Sequence, residues 1–328
     1  MDIVQPPWMP DILYKAILKQ HETYDKGNSD LTVTELIKPP WQAALQRKHH
    51  DEVTEDADSR IWSLFGSAIH SFIENSSDDQ GTAETRYFIK RMGKTISGQI
   101  DYKEYRNIGD DLWHTIYDWK VTSAWSALNN PKGKQEWHDQ LNLLKLLHDN
   151  QQNPMKMLTV ARRITDLVVI AFYRDWSFNS YKNDPAKYPQ QPYQLIGIPI
   201  WSSLEAEKFL LKRIELNMEA DFNVNAKSSQ LERMYLKGDL ICSEEERWHK
   251  PDKWAIKKHG NKKATKLFDT EEEALIWKDM NKDQINESRK KYEVEFRPGE
   301  DTRCMSYCNV NTFCPHFKQL TKETEKAA

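Results

Sequence analysis

The stretch Ile96–Trp125, ISGQIDYKEYRNIGDDLWHTIYDWKVTSAW, constrains this chain more than any other. It reads as two alternating strand runs, Ile96–Tyr105 and Leu112–Val121, around a short turn containing Gly109. Residues two apart on a strand share a face, so Asp118 and Lys120 project together and Trp119 projects to the opposite side. Pairing of the two runs brings Asp101 beside Asp118. Two carboxylates and a lysine converging near strand ends suit a divalent cation and the phosphate chemistry it supports. An ordinary hairpin with solvent-facing charges shows the same short pattern, so its meaning depends on what surrounds it.

Ahead of it, Ile61–Glu74 (IWSLFGSAIHSFIE) has the apolar spacing of a buried helix. Gly66, His70 and Glu74 are four apart and line one face of that helix. Glycine is a poor helix former, so Gly66 predicts close packing or backbone approach there. Further upstream, Pro6, Pro7 and Pro10 keep the chain extended before a short helix, Asp11–His21. Thr32-Val33-Thr34-Glu35 offers an N-terminal cap, and a helical segment, Leu36–His50, follows, in which Pro39-Pro40 forms the first turn or a break. Asp51–Ser59 reads as a loop, and Arg86–Arg91 adds a strand. After the central runs, Trp137–Asn150 predicts an amphipathic helix whose Gln140 faces either the site or water. Leu167–Tyr173 (LVVIAFY) predicts a buried strand. Tyr193–Ile200, with Pro199, suits a sheet edge. Trp201–Phe222 has helical periodicity and should pack back on the sheet. The pattern specifies an α/β (α+β) fold: a central mixed β-sheet flanked by helices.

The length, 328 residues, allows one large domain or two modest ones. Charged residues make up 30% and no apolar run approaches a membrane span, so a soluble chain is expected. The N-terminus lacks the pattern of a signal peptide, which points to the cytoplasm. A formal net charge of -3 excludes a polycation and confines any nucleic-acid surface to a local basic patch. Composition shifts after Gly238. Trp254–Lys258 and Ala264–Phe268 resemble a small hairpin carrying Lys257, Lys258, Lys262, Lys263 and Lys266, a solvated face or a phosphate contact. Thr270 caps a helix starting at Glu271. Residues 1–238, 239–319 and a disordered tail, 320–328, are the expected divisions.

Cys304, Cys308 and Cys314 crowd into a loop-rich stretch, and Cys242 is the remaining cysteine and the natural fourth ligand. Without a secretory signal such a group favours metal over disulfides. Thiolates select an iron–sulfur cluster or zinc. His316 is a spare ligand.

GSAIH at Gly66–His70, GQID at Gly98–Asp101, DWK at Asp118–Lys120 and the cysteine triplet, in this order, resemble the PD-(D/E)XK nucleases. Within that superfamily the chain is similar to the RecB-like iron–sulfur exonucleases, related to CRISPR-associated and AddB-type proteins and seen in phage genomes. The likeness runs from about Thr32 to Phe317. It departs from the family where Leu144 follows Gln140 in place of a tyrosine, and where the first cluster cysteine, Cys242, follows the nuclease motifs. The resemblance implies a restriction-endonuclease-like core and a metal-tied C-terminal segment. It implies that His70, Asp101, Asp118 and the Trp119 carbonyl hold Mg²⁺ or Mn²⁺, with Lys120 beside the attacking water. Glu74 lies behind them or on the surface, and Trp125 offers a face for unpaired bases or for core packing. Cys242, Cys304, Cys308 and Cys314 would hold a [4Fe–4S] cluster, with zinc as the alternative. The implied activity is DNA cleavage, by an exonuclease on single strands or duplex ends in a bacterial cell or phage-infected host. A non-catalytic DNA-binding adaptor and a zinc-stabilised structural protein are the other readings.

Overall fold

The computed structural model describes residues 2–22, 26–76, 81–108, 111–150, 164–226, 230, 242–281 and 292–327. It divides into two compact units, Met1–Asn225 and Ala226–Ala328. The turn expected around Gly109 and the boundary expected at 238 lie outside the described residues.

The first unit is built on a six-stranded mixed sheet. Its strands are β2 (Leu31–Thr32), β4 (Gly81–Arg91), β5 (Lys94–Ile108), β6 (Asp111–Thr122), β7 (Asp166–Tyr173) and β8 (Tyr193–Gly197). A separate parallel pair joins β1 (Asp2–Val4) to β3 (Thr54–Asp56). The order β2-β5-β6-β7-β8 is completed by β4 on the other edge of β5, because Ile96 pairs with both Leu31 and Ile89. β5 and β6 run antiparallel from Ile108↔Asp111 to Tyr102↔Tyr117, and there their ladder ends. β6 continues beside β7 in parallel register, Asp118 opposite Val169 and Lys120 opposite Ala171. The two strands therefore part where Asp101 and Asp118 stand.

Helices flank the sheet: α1 (Asp11–Glu22), α2 (Val33–Leu36), α3 (Pro40–Lys48), α4 (Ile61–Glu74), α5 (Ala124–Asn129), α6 (Gln135–Asn150), α7 (Phe178–Asn183) and α8 (Ser203–Val224). Thr32 closes a capping box with Glu35, and Pro39-Pro40 divides the expected Leu36–His50 helix, with Pro40 opening α3. The main core joins Ile96, Ile100 and Ile116 of the sheet to Leu141 and Leu147 of α6 and Leu210 of α8. Gly98 makes this packing possible. A Cβ there would stand 2.5 Å from Leu144 Cδ2 and 2.9 Å from Val33 Cγ2, closer than side chains tolerate.

In this unit four expectations need correction. Asp51–Ser59 contains β3 and a 3₁₀ turn rather than a loop alone, because that segment pairs with the N-terminal strand. α6 is not amphipathic along its length: Leu141 to His148 are all buried between the sheet and α8, with Asn142 bonded to Pro199 O and Trp201 N. α4 is not a buried helix, since Ile61 and Leu64 pack on the small cluster around Ile17 while Trp62, Phe65 and Phe72 stay exposed. Gly66 meets nothing within 4 Å, so close packing does not explain it.

In the second unit, β10 (Lys253–Lys258) lies between β11 (Ala264–Phe268) and β12 (Tyr292–Arg297), all antiparallel, with β9 (His249–Lys250) paired to β13 (Glu300–Asp301). Helices α9 (Glu244–Arg247), α10 (Glu271–Met280), α11 (Thr302–Ser306) and α12 (Pro315–Ala327) complete it. Thr270 caps α10 as expected. β12 adds a third strand to the expected hairpin, and its Glu293 and Glu295 pair with Lys257. The tail expected to be disordered from 320 is helical through Ala327, where Lys, Glu and Ala favour the helix.

Candidate functional site

The site grows from the parting of β5 and β6. Freed from its ladder partner, the Trp119 amide donates to Asp101 Oδ2 at 2.9 Å. On one face of β6, Lys120 Nζ donates to Asp118 Oδ1 at 3.0 Å. On the other, the Trp119 ring stacks on Tyr117 at 5.9 Å. The period-two alternation of DWK thus separates an ionic face from an aromatic one. Gln140 of α6 faces the site, accepting from Lys120 Nζ at 3.1 Å through Oε1.

α4 brings His70 to the carboxylates. Its Nε2 lies 3.7 Å from Asp101 Oδ2 and its Nδ1 3.4 Å from Glu84 Oε1. Glu84 is the residue the sequence reading missed. It stands on β4 between the pairs Ala83↔Tyr102 and Thr85↔Ile100, opposite Asp101, with φ at 46°. That left-handed backbone is strained for a residue with a side chain, and such strain gathers at functional sites. Gln99 donates to its other oxygen, Oε2, and Arg86 donates to Gln99. The only signal in the sequence was an acid inside a run of strand formers, GTAETRYF, and the expected strand began two residues too late to include it. Glu74 ends α4 in an exposed position.

The electrostatics leave the site short of positive charge. Burial first, and then the charge of Asp118, push Asp101 up to about 7 against the pull of His70, Lys120 and the Trp119 amide. Burial lowers His70, but its bond to Glu84 and the charges of Asp101, Glu84 and Asp118 outweigh that and raise it. Burial likewise opposes the charge on Lys120, and Asp118 and Asp101 more than restore it. Asp118 Oδ2 is buried and makes no hydrogen bond, although the Lys120 ammonium lies 2.8 Å away. One donor atom each from His70, Glu84 and Asp101 fall within 4.8 Å of one another. Imidazole and carboxylate donors around such a gap fit a hard divalent cation.

The second unit carries a possible metal-binding group, Asp301, Cys304 and His316, with donor atoms within 4.8 Å of one another. Cys242, Cys304 and Cys308 are all pushed up, with burial the largest cause. Burial, then Glu246 and the thiols of Cys314, Cys304 and Cys308, push Cys242 up. Burial, Asp301, Cys314 and Cys308 push Cys304 up to about 12. Asp301 is a hub, with His316 Nε2 at 2.6 Å, His249 Nδ1 at 2.8 Å and Arg247 Nε at 3.0 Å. Asn311 Nδ2 donates to Cys304 O and Arg247 Nη1 to Cys242 O.

No protein-family model matches the chain, and no curated protein does. Among solved structures it is similar to the one described as "Crystal structure of SSO0001", at 15% identity and a TM-score of 0.41, over 65% of this chain and 89% of that one. No helix among the described residues is long and apolar enough to cross a membrane.

Proposed function

We propose that the chain is a metal-dependent deoxyribonuclease with a restriction-endonuclease-like core, of the RecB-like PD-(D/E)XK kind that its motifs resemble. The observation that carries this reading is the gathering of His70, Glu84 and Asp101 beside the Asp118–Lys120 pair where β5 and β6 part. His70, Glu84, Asp101 and Asp118 would hold Mg²⁺ or Mn²⁺. A cation bound there would act as a Lewis acid at the scissile phosphate and lower the pKa of a bound water. Lys120, kept charged by Asp118 and Asp101 and steadied by Gln140, presents a fixed positive charge to the phosphate as negative charge develops. Asp118 places that ammonium, so its loss removes both a cation ligand and the positioning of Lys120.

The test is cleavage of end-labelled single- and double-stranded DNA by the full chain with Mg²⁺, Mn²⁺ or EDTA. Cleavage should require the metal and disappear in Asp118→Asn. Binding without cleavage by the metal-loaded chain would point instead to a DNA-binding adaptor. Blocking one end of the substrate at a time reads whether action is exonucleolytic and from which end. In the second unit, Cys242, Cys304, Cys308 and Cys314 are proposed to hold a [4Fe–4S] cluster with a structural role. Zinc is the second reading, favoured by the closeness of the Asp301, Cys304 and His316 donors. Iron and sulfide content with a visible absorption band supports the cluster. Stoichiometric zinc without iron overturns it and leaves the nuclease proposal standing.

A further inference from the structure

α4 does more than deliver His70. Along the same helix, Trp62 is 50% exposed, Phe65 54% and Phe72 75%. Trp62 and Phe65 lie 5.7 Å apart at 43°. The Arg174 guanidinium sits over the Trp62 ring, 4.4 Å from its centroid. Arg174 is fixed at the end of β7 by its amide, which donates to Thr122 O at 3.0 Å. The neighbouring acid, Asp175, accepts from the amide of Ala124, the first residue of α5, whose N-cap is Ser123.

Chain spacing sets this ledge near the candidate site. Trp62 precedes His70 by two helical turns, about 12 Å along the axis. Thr122 follows Lys120 by two strand residues, about 7 Å. Gly66, one turn from each of Trp62 and His70, has open space where a side chain would stand. A purely apolar partner is a poor occupant, because a guanidinium already covers part of the ring. Exposed aromatic rings interleaved with cations match a strand of unpaired nucleotides, which offers base faces to the rings and phosphates to the cations.

We infer that the Trp62–Arg174 ledge stacks an unpaired base of the substrate strand close to the scissile phosphate, and that Gly66 is kept bare so the strand can pass to His70. The inference rests on the nuclease reading and deepens it by naming the residues that hold an unpaired base of the strand. Trp62 is a positioning residue here, since it touches the substrate away from the reacting atoms.

The experiment measures binding of an oligothymidylate, and of an abasic strand of equal length, to the full chain carrying Asp118→Asn so that nothing is cleaved. Adding Trp62→Ala should weaken the base-bearing strand about tenfold. The abasic strand should bind both proteins equally weakly, and Trp62→Tyr should restore most of the affinity. In the Asp118 protein, Trp62→Ala should raise KM on single strands and leave kcat nearly unchanged. The inference is overturned if Trp62→Ala binds both strands as its parent does, if the abasic strand binds the parent as tightly as the base-bearing one, or if neither strand binds. It is also overturned if light scattering shows that Trp62→Ala only dissociates a self-associated chain. Failure of the nuclease reading is separate: the unmodified chain then cleaves no DNA with either metal.

Discussion

The two donor clusters are held in opposite ways. His70, Glu84, Asp101 and Asp118 hang from long strands and a helix whose sheet is backed by Ile96, Ile100, Leu141, Leu147 and Leu210, all fully buried. Of the thiols of the second unit, Cys304 stands on the short helix α11 and the other three lie between elements, and the buried apolar side chains described there are Ala255, Ile256, Ala274 and Val310. In the first unit the fold makes the site. In the second, the proposed metal would help make the fold, as in small domains whose apolar core is too thin to stand alone.

The sharpest break in that contrast is loss of activity without loss of fold. Asp118→Asn and Lys120→Ala should each lower cleavage by about three orders of magnitude or more, while circular dichroism and melting stay close to the parent. A collapse of the fold in either variant would place the first site on the same footing as the second. Next in size is the reverse case. Removing the metal from the second unit, or Cys304→Ser, should open 242–327 to protease while 2–226 survives as a resistant fragment. Equal protection before and after chelation would show that the second unit folds without its ligand.

A smaller effect sharpens the first half of the comparison through pH. Because Asp101 is raised to about 7 by burial and by Asp118, its neutral form is favoured in the folded, metal-free chain. Its contribution to stability is therefore complete below about pH 4 and is lost as pH rises through about 7. The metal-free chain should melt a few degrees lower at pH 8 than at pH 5 through this group. Asp101→Asn should flatten that difference, and Mn²⁺ should raise the melting point more at pH 8 than at pH 6. Smallest of all, Gly66→Ala should stabilise α4 by about 0.5–1 kcal/mol in chemical denaturation, since nothing crowds the added methyl. It should cost cleavage of single strands if the bare surface serves the substrate.

The alternation of LWHTIYDWK made the common face of Asp118 and Lys120 legible in the sequence, because a strand's period dictates it, whereas the parting of β5 from β6 just where Asp101 and Asp118 come near was not. The capping of Thr32 and Thr270 was legible for the same local reason. Glu84 was not, since its place depends on a left-handed residue opposite Asp101 and no local pattern announces that. The exposure of α4 was hidden by its composition: apolar residues all round predict burial, and only the tertiary arrangement leaves Trp62, Phe65 and Phe72 outside. His316 looked like a spare ligand by count, whereas its partner Asp301, three residues before Cys304, was invisible without β13 and its pairing with β9.

Gly98 has a reach beyond the core. The contact it permits sets how near α6 lies to β5, and α6 carries Gln140 while β5 carries Asp101. A methyl at this position would press on Leu144, one turn along α6 from Gln140, and on Val33. A glycine three residues upstream of Asp101 thus ties the packing of α6 to the strand that carries the acid.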